Sequence, residues 1–443
     1  MQHVVIIGNG IAGITAARNI RKLSNDRITI ISGETDHFFS RTALMYIYMG
    51  HMEYRHTKPY EDWFWEKNKI ELKRAWVSSI NYNSKKVVFS DDQDLEYDKL
   101  ILATGSQSNK FGWPGQDLEG VQGLFSYQDL ELMEKNTKNV HRAVIIGGGL
   151  IGIEMAEMLH SRNIPVTYLI REKHFWNGVL PVEEAKLIDR HILEHHIDLR
   201  AETELEEIID DGTGKVSAIK TKDGEAIECQ FVGLTVGVHP NIDLVKESPV
   251  ETDRGILVDE FLQTSHPDVY AIGDCAQLKN PPTHRRPIEA VWYVGRMMGE
   301  TVARTVTGTS TQYKPGIWFN SAKFFDIEYQ TYGTVLNHLK ETEDQFYWEC
   351  EDKKKCLKIV YDKESLVVKG VNLFGVRSRH EVWDEWLGKG KTLDYVMKHL
   401  EAANFDPEFF TRYEGQIQTQ FNLQFPEKAV SIRKKGFLEK LFM

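Results

Sequence analysis

Cysteine is scarce in this sequence. Four stand among 443 residues, too few for a disulfide framework, so a reducing, cytoplasmic setting is the expectation. Long hydrophobic runs are missing too, and no apolar stretch reaches the roughly 18 residues that span a bilayer. Positive charge is not in excess. The net charge is −11, which argues against a general nucleic-acid binder. A strand pattern, His3-Val4-Val5-Ile6-Ile7-Gly8, begins almost at once, so no secretory signal is expected. Metal-ligand spacing is not apparent, and no metal is expected. Cys350 and Cys356 flank Glu-Asp-Lys-Lys-Lys, which reads as a hairpin tip across which the two thiols can face each other. C-x5-C is neither a metal knuckle nor a C-x-x-C redox motif. Cys229 and Cys275 fall in strand or strand-end contexts and read as small buried hydrophobes. What remains, 41% hydrophobic and 27% charged, is the composition of a soluble globular chain of two or three domains.

What the sequence does contain is a long internal repeat. Residues 4–20 read VVIIGNGIAGITAARNI and residues 144–159 read VIIGGGLIGIEMAEML. Each is a short buried strand, a glycine turn and a helix with small residues toward the strand. Gly8, Gly10 and Gly13 form G-x-G-x-x-G around Ile11 and Ala12. Gly147, Gly149 and Gly152 repeat it around Leu150 and Ile151. In such a turn the first glycine allows the tight bend and the second lets the backbone approach a pyrophosphate. The third lets helix and strand pack closely, with the helix N-terminus supplying amides. Glu34 follows Gly13 by 21 residues and Glu172 follows Gly152 by 20. An acid at that distance suits the hydroxyls of an adenosine ribose. A solvated loop acid would show no such matched spacing.

Further strands end in turns. YDKLILATGS (97–106) closes on Ala103-Thr104-Gly105, VGLTVGVHPN (232–241) on Gly237 and Pro240, and HPDVYAIGDCA (266–276) on Gly273-Asp274. An acid just past a buried strand is often a helix cap. Asp274 can also hold a polyol chain.

Taken in order, GNGIAG, ATGS, GGGLIGIE, GVHPN and AIGDCA resemble the pyridine nucleotide–disulfide oxidoreductase superfamily. The likeness is greatest to its coenzyme A-disulfide reductase, NADH oxidase and NADH:rubredoxin or ferredoxin reductase branch. The resemblance implies an α/β fold with two Rossmann-like dinucleotide-binding domains, for FAD and NAD(P), plus a C-terminal α+β domain. It implies that the Gly8–Gly13 loop holds the FAD pyrophosphate, with Glu34 on the ribose, Arg41 close by, and the Val77 backbone facing the adenine. Thr104 and Gly105 would line the flavin site and Asp274 would bind the ribityl chain. The Gly147–Gly152 loop would hold the nicotinamide dinucleotide, with Glu154 near nicotinamide and flavin. Glu172 favours NADH, whereas the adjacent Arg171 pulls toward NADPH.

The stretch SRTALMYIYMG (40–50) departs from the family. Thr42 stands where disulfide-reducing members carry the redox cysteine of C-A-L-P-Y. Tyr46 falls where the ferredoxin reductase branch carries a lysine. Threonine forms no mixed disulfide and no sulfenate. The expectation is therefore an FAD enzyme that takes hydride from NAD(P)H and passes electrons on without a redox-active cysteine. The acceptor would be a rubredoxin- or ferredoxin-like carrier or a quinone, with Glu154 and Tyr46 as its catalytic residues. The alternative is a non-enzymatic NAD(H)-binding flavoprotein that senses redox state through a protein partner.

The expected domain plan is split. Residues 1–110 and 241–312 bind FAD, 111–240 bind NAD(P)H, and 313–443 form a C-terminal interface domain that would make a homodimer. The aromatic stretches around Trp63–Trp65, Trp383–Trp386 and Phe409–Tyr413 read as core or subunit contacts. His284, Arg285, Arg286 and the Arg377–His380 cluster read as surface charge, or as a dock for an acidic electron carrier. The tail VSIRKKGFLEKLFM (430–443) is basic and apolar. It reads as packing on its own domain or the second subunit ahead of lying on an anionic membrane.

Overall fold

The computed structural model describes residues 1–406, 409 and 411–432. The chain divides into two compact units. One comprises Met1–Arg171 with Ile197–Pro315, the other Glu172–His196 with the residues from Gly316 on.

The first unit is built on two five-stranded parallel sheets. In one, the order is Val269–Ala271, Lys99–Leu102, His3–Ile7, Arg27–Ser32, Ile70–Arg74. In the other it is Asp198–Arg200, Val166–Leu169, Ala143–Ile146, Phe231–Leu234, Val121–Gln122. The central strands VVII and AVII are buried at every position, as a parallel strand covered on both faces requires. In each sheet the first strand has neighbours on both sides, Ile7 lying beside Ile31 and Leu102, and Ile146 beside Leu169 and Leu234. The crevice where chain direction around the sheet reverses therefore opens at the carboxyl end of the glycine-bearing strand. Short antiparallel strands join the two sheet regions, Ser106 pairing with Pro240 and Ser108 with Val238.

The helix Ile11–Leu23 is clasped by Trp292–Val306. The two helices cross closely because Gly299 presents no side chain: a Cβ there would lie 2.6 Å from the Ala12 carbonyl oxygen.

The second unit is a five-stranded antiparallel sheet, in the order Phe319–Phe324, Ile327–Gly333, Val368–Phe374, Cys356–Asp362, Glu343–Glu349. Alternation along Cys356–Asp362 sends Leu357, Ile359 and Tyr361 into a core with Trp383, Trp386, Val396 and Phe421 of the C-terminal helices. The opposite face takes the helix Val182–Glu194. There Asn372 donates to the fully buried Glu184 at 2.8 Å, and the buried Lys358 bonds Glu183 and Gln345, each at 2.8 Å. Burial pushes the Glu184 carboxyl up to about 7 against the opposing pull of Lys358. Lys358 is buried but its partner Glu183 is 43% exposed and stays solvated, so Lys358→Ala is expected to cost about 1–3 kcal/mol in urea unfolding through the buried acceptors it leaves unpaired. A smaller loss is expected from Lys358→Met, which keeps the apolar stem.

Three expectations meet a different structure. Glu172–His196, placed with the nicotinamide-binding stretch, packs with the C-terminal sheet, because Glu184, Leu187, Ile188 and His191 are the buried face of its helix. Cys350 and Cys356 do not face each other. Cys356 is opposite Glu349, and Cys350 is bonded through its backbone to Lys355, so the two thiols lie on opposite faces of the hairpin. Arg285 is no surface charge. Its side chain is 6% exposed and grips Glu289 at 2.6 Å. Of the tryptophans read as core or subunit contacts, Trp65, Trp383 and Trp386 are buried, while Trp63 is exposed, which leaves it only the second reading. The tail from Arg433 on, and with it the membrane question, lies outside the described residues, as does Phe410.

Candidate functional site

The Gly8–Gly13 turn opens into a cleft of about 910 Å³ in the first unit. At its floor Gly8 has φ +115, and a Cβ there would lie 2.1 Å from the Ala103 carbonyl oxygen. No other residue fits that close approach. Gly13 packs under the turn, where a Cβ would meet the Gly8 carbonyl at 2.1 Å. A Cβ on Gly10, by contrast, would meet nothing within 4 Å; the space above it belongs to the cleft. The helix behind it has no side-chain cap, so its first amides are available to an anion.

One wall carries Glu34 and Arg41. Arg41 makes a two-pronged ion pair with Glu34 at 2.6 and 2.7 Å, donates to the Phe125 carbonyl at 2.6 Å and stacks on the Phe125 ring. Glu34 also accepts the Tyr127 amide at 2.9 Å. Next to it Trp76, two-thirds exposed, lies on Gly33, where a Cβ would touch the indole at 2.3 Å. Val77 follows it along the lining. Across the cleft, Asp274 sits in the short turn after Val269–Ala271 and accepts from Ser106 Oγ at 3.1 Å. Burial raises its carboxyl above the usual range, opposed by Ser106 and by the Arg41 charge. Thr104 Oγ1 donates to the Asn241 carbonyl at 2.6 Å, and the Asn241 amide donates to Gly105 at 2.9 Å. The Ala103-Thr104-Gly105 turn is thereby tied to the return segment.

The cleft brings together Gly8, Gly10, Ile11, Ala12, Glu34, Arg41, Val77, Ala103, Thr104, Gly105, Gly273 and Asp274. Thr42 lies just outside the lining, exposed, with its hydroxyl 3.1 Å from Ser40 Oγ. Trp76, Ser106, Phe125 and Asn241 were not singled out from sequence. Trp76 had a local signal, an aromatic beside Val77; the others are joined to the site only by folding.

The second glycine turn repeats the first. Gly147 has φ +114, and a Cβ on Gly152 would collide with Tyr168 Oη at 2.3 Å and the Gly147 carbonyl at 2.5 Å. A Cβ on Gly149, at the start of the helix Leu150–Ser161, would again meet open space. Gly237 turns with φ +90 beside Asn109. Arg171, exposed, closes the first unit and Glu172 opens the second.

Tyr46 lies on the short helix Leu44–Tyr48, which packs against Leu150–Ser161, the helix of Glu154. That short helix is anchored by Tyr48. Its hydroxyl donates to Thr137 at 2.8 Å, and Arg162 covers its ring at 3.5 Å while gripping Glu134 at 2.6 Å. Burial, then the Glu157 charge, pushes the Glu154 carboxyl up to about 7. A raised folded pKa means the charged form is disfavoured in the fold. Stability is therefore lost as pH climbs from the unfolded value, about 4.5, through 7. Glu154→Gln removes that loss. It should melt about 2–5 °C above wild type at pH 8, with the gap closing below pH 5, as read by calorimetry.

None of the four cysteines lines the cleft. Cys275, buried, donates to the Ile272 and Leu102 carbonyls at 3.3 and 3.5 Å. Burial raises it, pushes Cys229 up to about 12, and raises Cys356 far above its ordinary value.

Two parallel sheets, each with a glycine turn at the carboxyl end of its central strand, and one cleft with an acid at either end define a class: flavoprotein oxidoreductases that bind FAD and NAD(P)H. The family model for pyridine nucleotide-disulphide oxidoreductases matches residues 2–299, and the chain belongs to that family. It is 31% identical over 280 residues to a nitrite reductase [NAD(P)H] of Bacillus subtilis, covering 62% of this chain and 34% of the relative. It is 27% identical over 428 residues to an assimilatory nitrate reductase electron transfer subunit of the same organism, covering 95% of this chain and 54% of the relative. The chain thus spans about a third to a half of the length of these relatives. Among solved structures, the ferredoxin reductase for the CYP199A2 system from Rhodopseudomonas palustris has the same fold. The TM-score is 0.77 at 22% identity, covering 93% of this chain and 98% of that one.

Proposed function

We propose that this protein oxidises NAD(P)H and delivers the electrons to a separate acceptor, without a redox cysteine. The observation that carries this reading is a cleft at the first glycine turn with no thiol in its lining, together with a second glycine turn of the same build. Bound FAD would supply the chemistry, accepting a hydride equivalent and releasing electrons singly or in pairs. The chain's residues do the rest. The Gly10 turn and the helix amides would hold the pyrophosphate, Glu34 and Asp274 would take hydroxyls, and the Gly149 turn would seat the nicotinamide dinucleotide. Glu154, its carboxyl pushed up to about 7 by burial, would hold a proton for the reaction, with Tyr46 on the neighbouring helix. Glu154→Gln is expected to slow reduction by NADH more than it weakens flavin binding.

The acceptor that fits best is a small iron–sulfur carrier, in keeping with relatives named for electron transfer and ferredoxin reduction. Steady-state assays with ferredoxin, rubredoxin and a soluble quinone test it. A preference for the quinone would overturn the carrier reading. The thiol-free step has its own test. Alkylating the reduced enzyme should leave NAD(P)H:acceptor activity within about twofold, with no long-wavelength thiolate charge-transfer absorption. Loss of activity in step with one modified cysteine would refute it. The non-enzymatic alternative fails if NADH turns over with an artificial acceptor.

A further inference from the structure

The helix Val182–Glu194 ends on a histidine pair that is not part of the cleft lining. His191 and His195 are four residues apart, on one face of the helix. Facing them is Asp326, in the two-residue turn between Phe319–Phe324 and Ile327–Gly333, where Phe324 pairs with Ile327. All three belong to the second unit.

We infer that His191, His195 and Asp326 form a binding site for one divalent transition-metal cation of the zinc type. Their ligating atoms lie within 4.8 Å of one another. His191 Nε2 is 2.6 Å from Asp326 Oδ1, and His195 Nε2 is 3.9 Å from the same oxygen. A tetrahedral ion with bonds of about 2.0–2.2 Å spaces its ligand atoms about 3.4 Å apart, between those two distances. His191 is 2% exposed, and its ring nitrogens are not satisfied by a hydrogen bond although Nε2 lies 2.6 Å from Asp326 Oδ1 and Nδ1 3.7 Å from Glu194 Oε2. A buried imidazole nitrogen left without a hydrogen bond beside a carboxylate is suited to share a cation with it.

His195 is prepared for the same task. Its Nδ1 lies 2.9 Å from the His191 carbonyl oxygen, which can only accept. Nδ1 therefore carries the proton and Nε2 presents its lone pair toward Asp326, the outer hydrogen bond that metal-binding histidines commonly make. Phe325 holds the ring in place. It adopts φ 54, rare for an aromatic, and stacks on His195 with centroids 4.1 Å apart and planes 17° apart. The C-terminal end of the helix adds its negative dipole end. Nearby, Lys354 is paired with Glu194 at 3.1 Å, which offsets its charge. Two imidazoles and one carboxylate favour zinc, cobalt or nickel over magnesium or calcium. Asp326 is 68% exposed, so a fourth position opens to water and the ion can exchange. Bound, it would staple the helix Val182–Glu194 to the hairpin 319–333.

The test uses the chelator-stripped holoprotein. Titration with Zn2+ against a chromophoric chelator should give one ion per chain. Binding should weaken by about tenfold or more in His195→Gln and in Asp326→Asn, and remain at wild-type strength in Asp352→Asn, a carboxylate elsewhere in the unit. Zn2+ should raise the melting temperature of wild type by several degrees and leave the first two variants unmoved. Unchanged affinity in both variants, with cooperative melting, overturns the proposal. Wild type alone gives a second reading that needs no variant to fold: saturating Zn2+ should protect His195 from diethyl pyrocarbonate. Equal modification with and without Zn2+ overturns it too.

Discussion

Gly10→Val is expected to give a folded protein without flavin. The backbone at Gly10, φ −70 and ψ −178, is extended and open to any residue. The added side chain meets no protein atom within 4 Å of its Cβ. The fold therefore loses only the difference between glycine and valine at a helix cap, about 0.5–1 kcal/mol. What the valine fills is the space through which a pyrophosphate reaches the helix amides. FAD content after purification should fall at least about tenfold, while circular dichroism and the elution volume stay as in wild type. A fully yellow Gly10→Val protein would remove the first glycine turn from the cofactor site. Gly8→Ala would be a poorer test, because its Cβ strikes the Ala103 backbone and damages the fold itself.

Gly149→Val should separate the two dinucleotides. Gly149 has φ −122 and ψ −177, and its Cβ likewise faces open space. The first turn is untouched, so the protein should be yellow and should melt near wild type. Stopped-flow reduction by NADH should slow about a hundredfold or more at fixed concentration, because a displaced nicotinamide loses the alignment that hydride transfer needs. Dithionite should still reduce the same sample fully. Wild-type reduction by NADH would mean that the second turn is structural only.

The glycine turns, the parallel strands and the order of the family landmarks were legible because they depend on short stretches. A run such as VVII must be buried on both sides, and G-x-G-x-x-G is readable as a six-residue pattern even though Gly8 also clears the distant Ala103 backbone. Glu34, spaced from its turn by 21 residues, does line the cleft. Arg285 was misread because a basic triplet looks alike whether it meets solvent or not. Only the fold bends the loop so that Glu289 meets Arg285 in a site where both side chains are 6% exposed. The two hairpin cysteines were misread because a one-residue difference in register reverses which face a side chain takes.

By itself, then, the sequence determined the class of this protein, through two glycine turns on buried parallel strands and the order of the family's landmarks. These follow from local backbone sterics and residue chemistry, which need no distant partner. The tertiary structure alone decided three things. It joined Arg41 to Glu34 and Phe125, and Asp274 to Ser106, across up to 168 positions of chain. It turned the helix Val182–Glu194 onto the C-terminal sheet, where Glu184 finds Asn372 across 188 positions. It set Asp326 against His191 and His195, whose four-residue spacing is unremarkable until a carboxylate faces it. Each is a long-range pairing of polar groups, and such groups find partners only where packing has already removed water and left them no other.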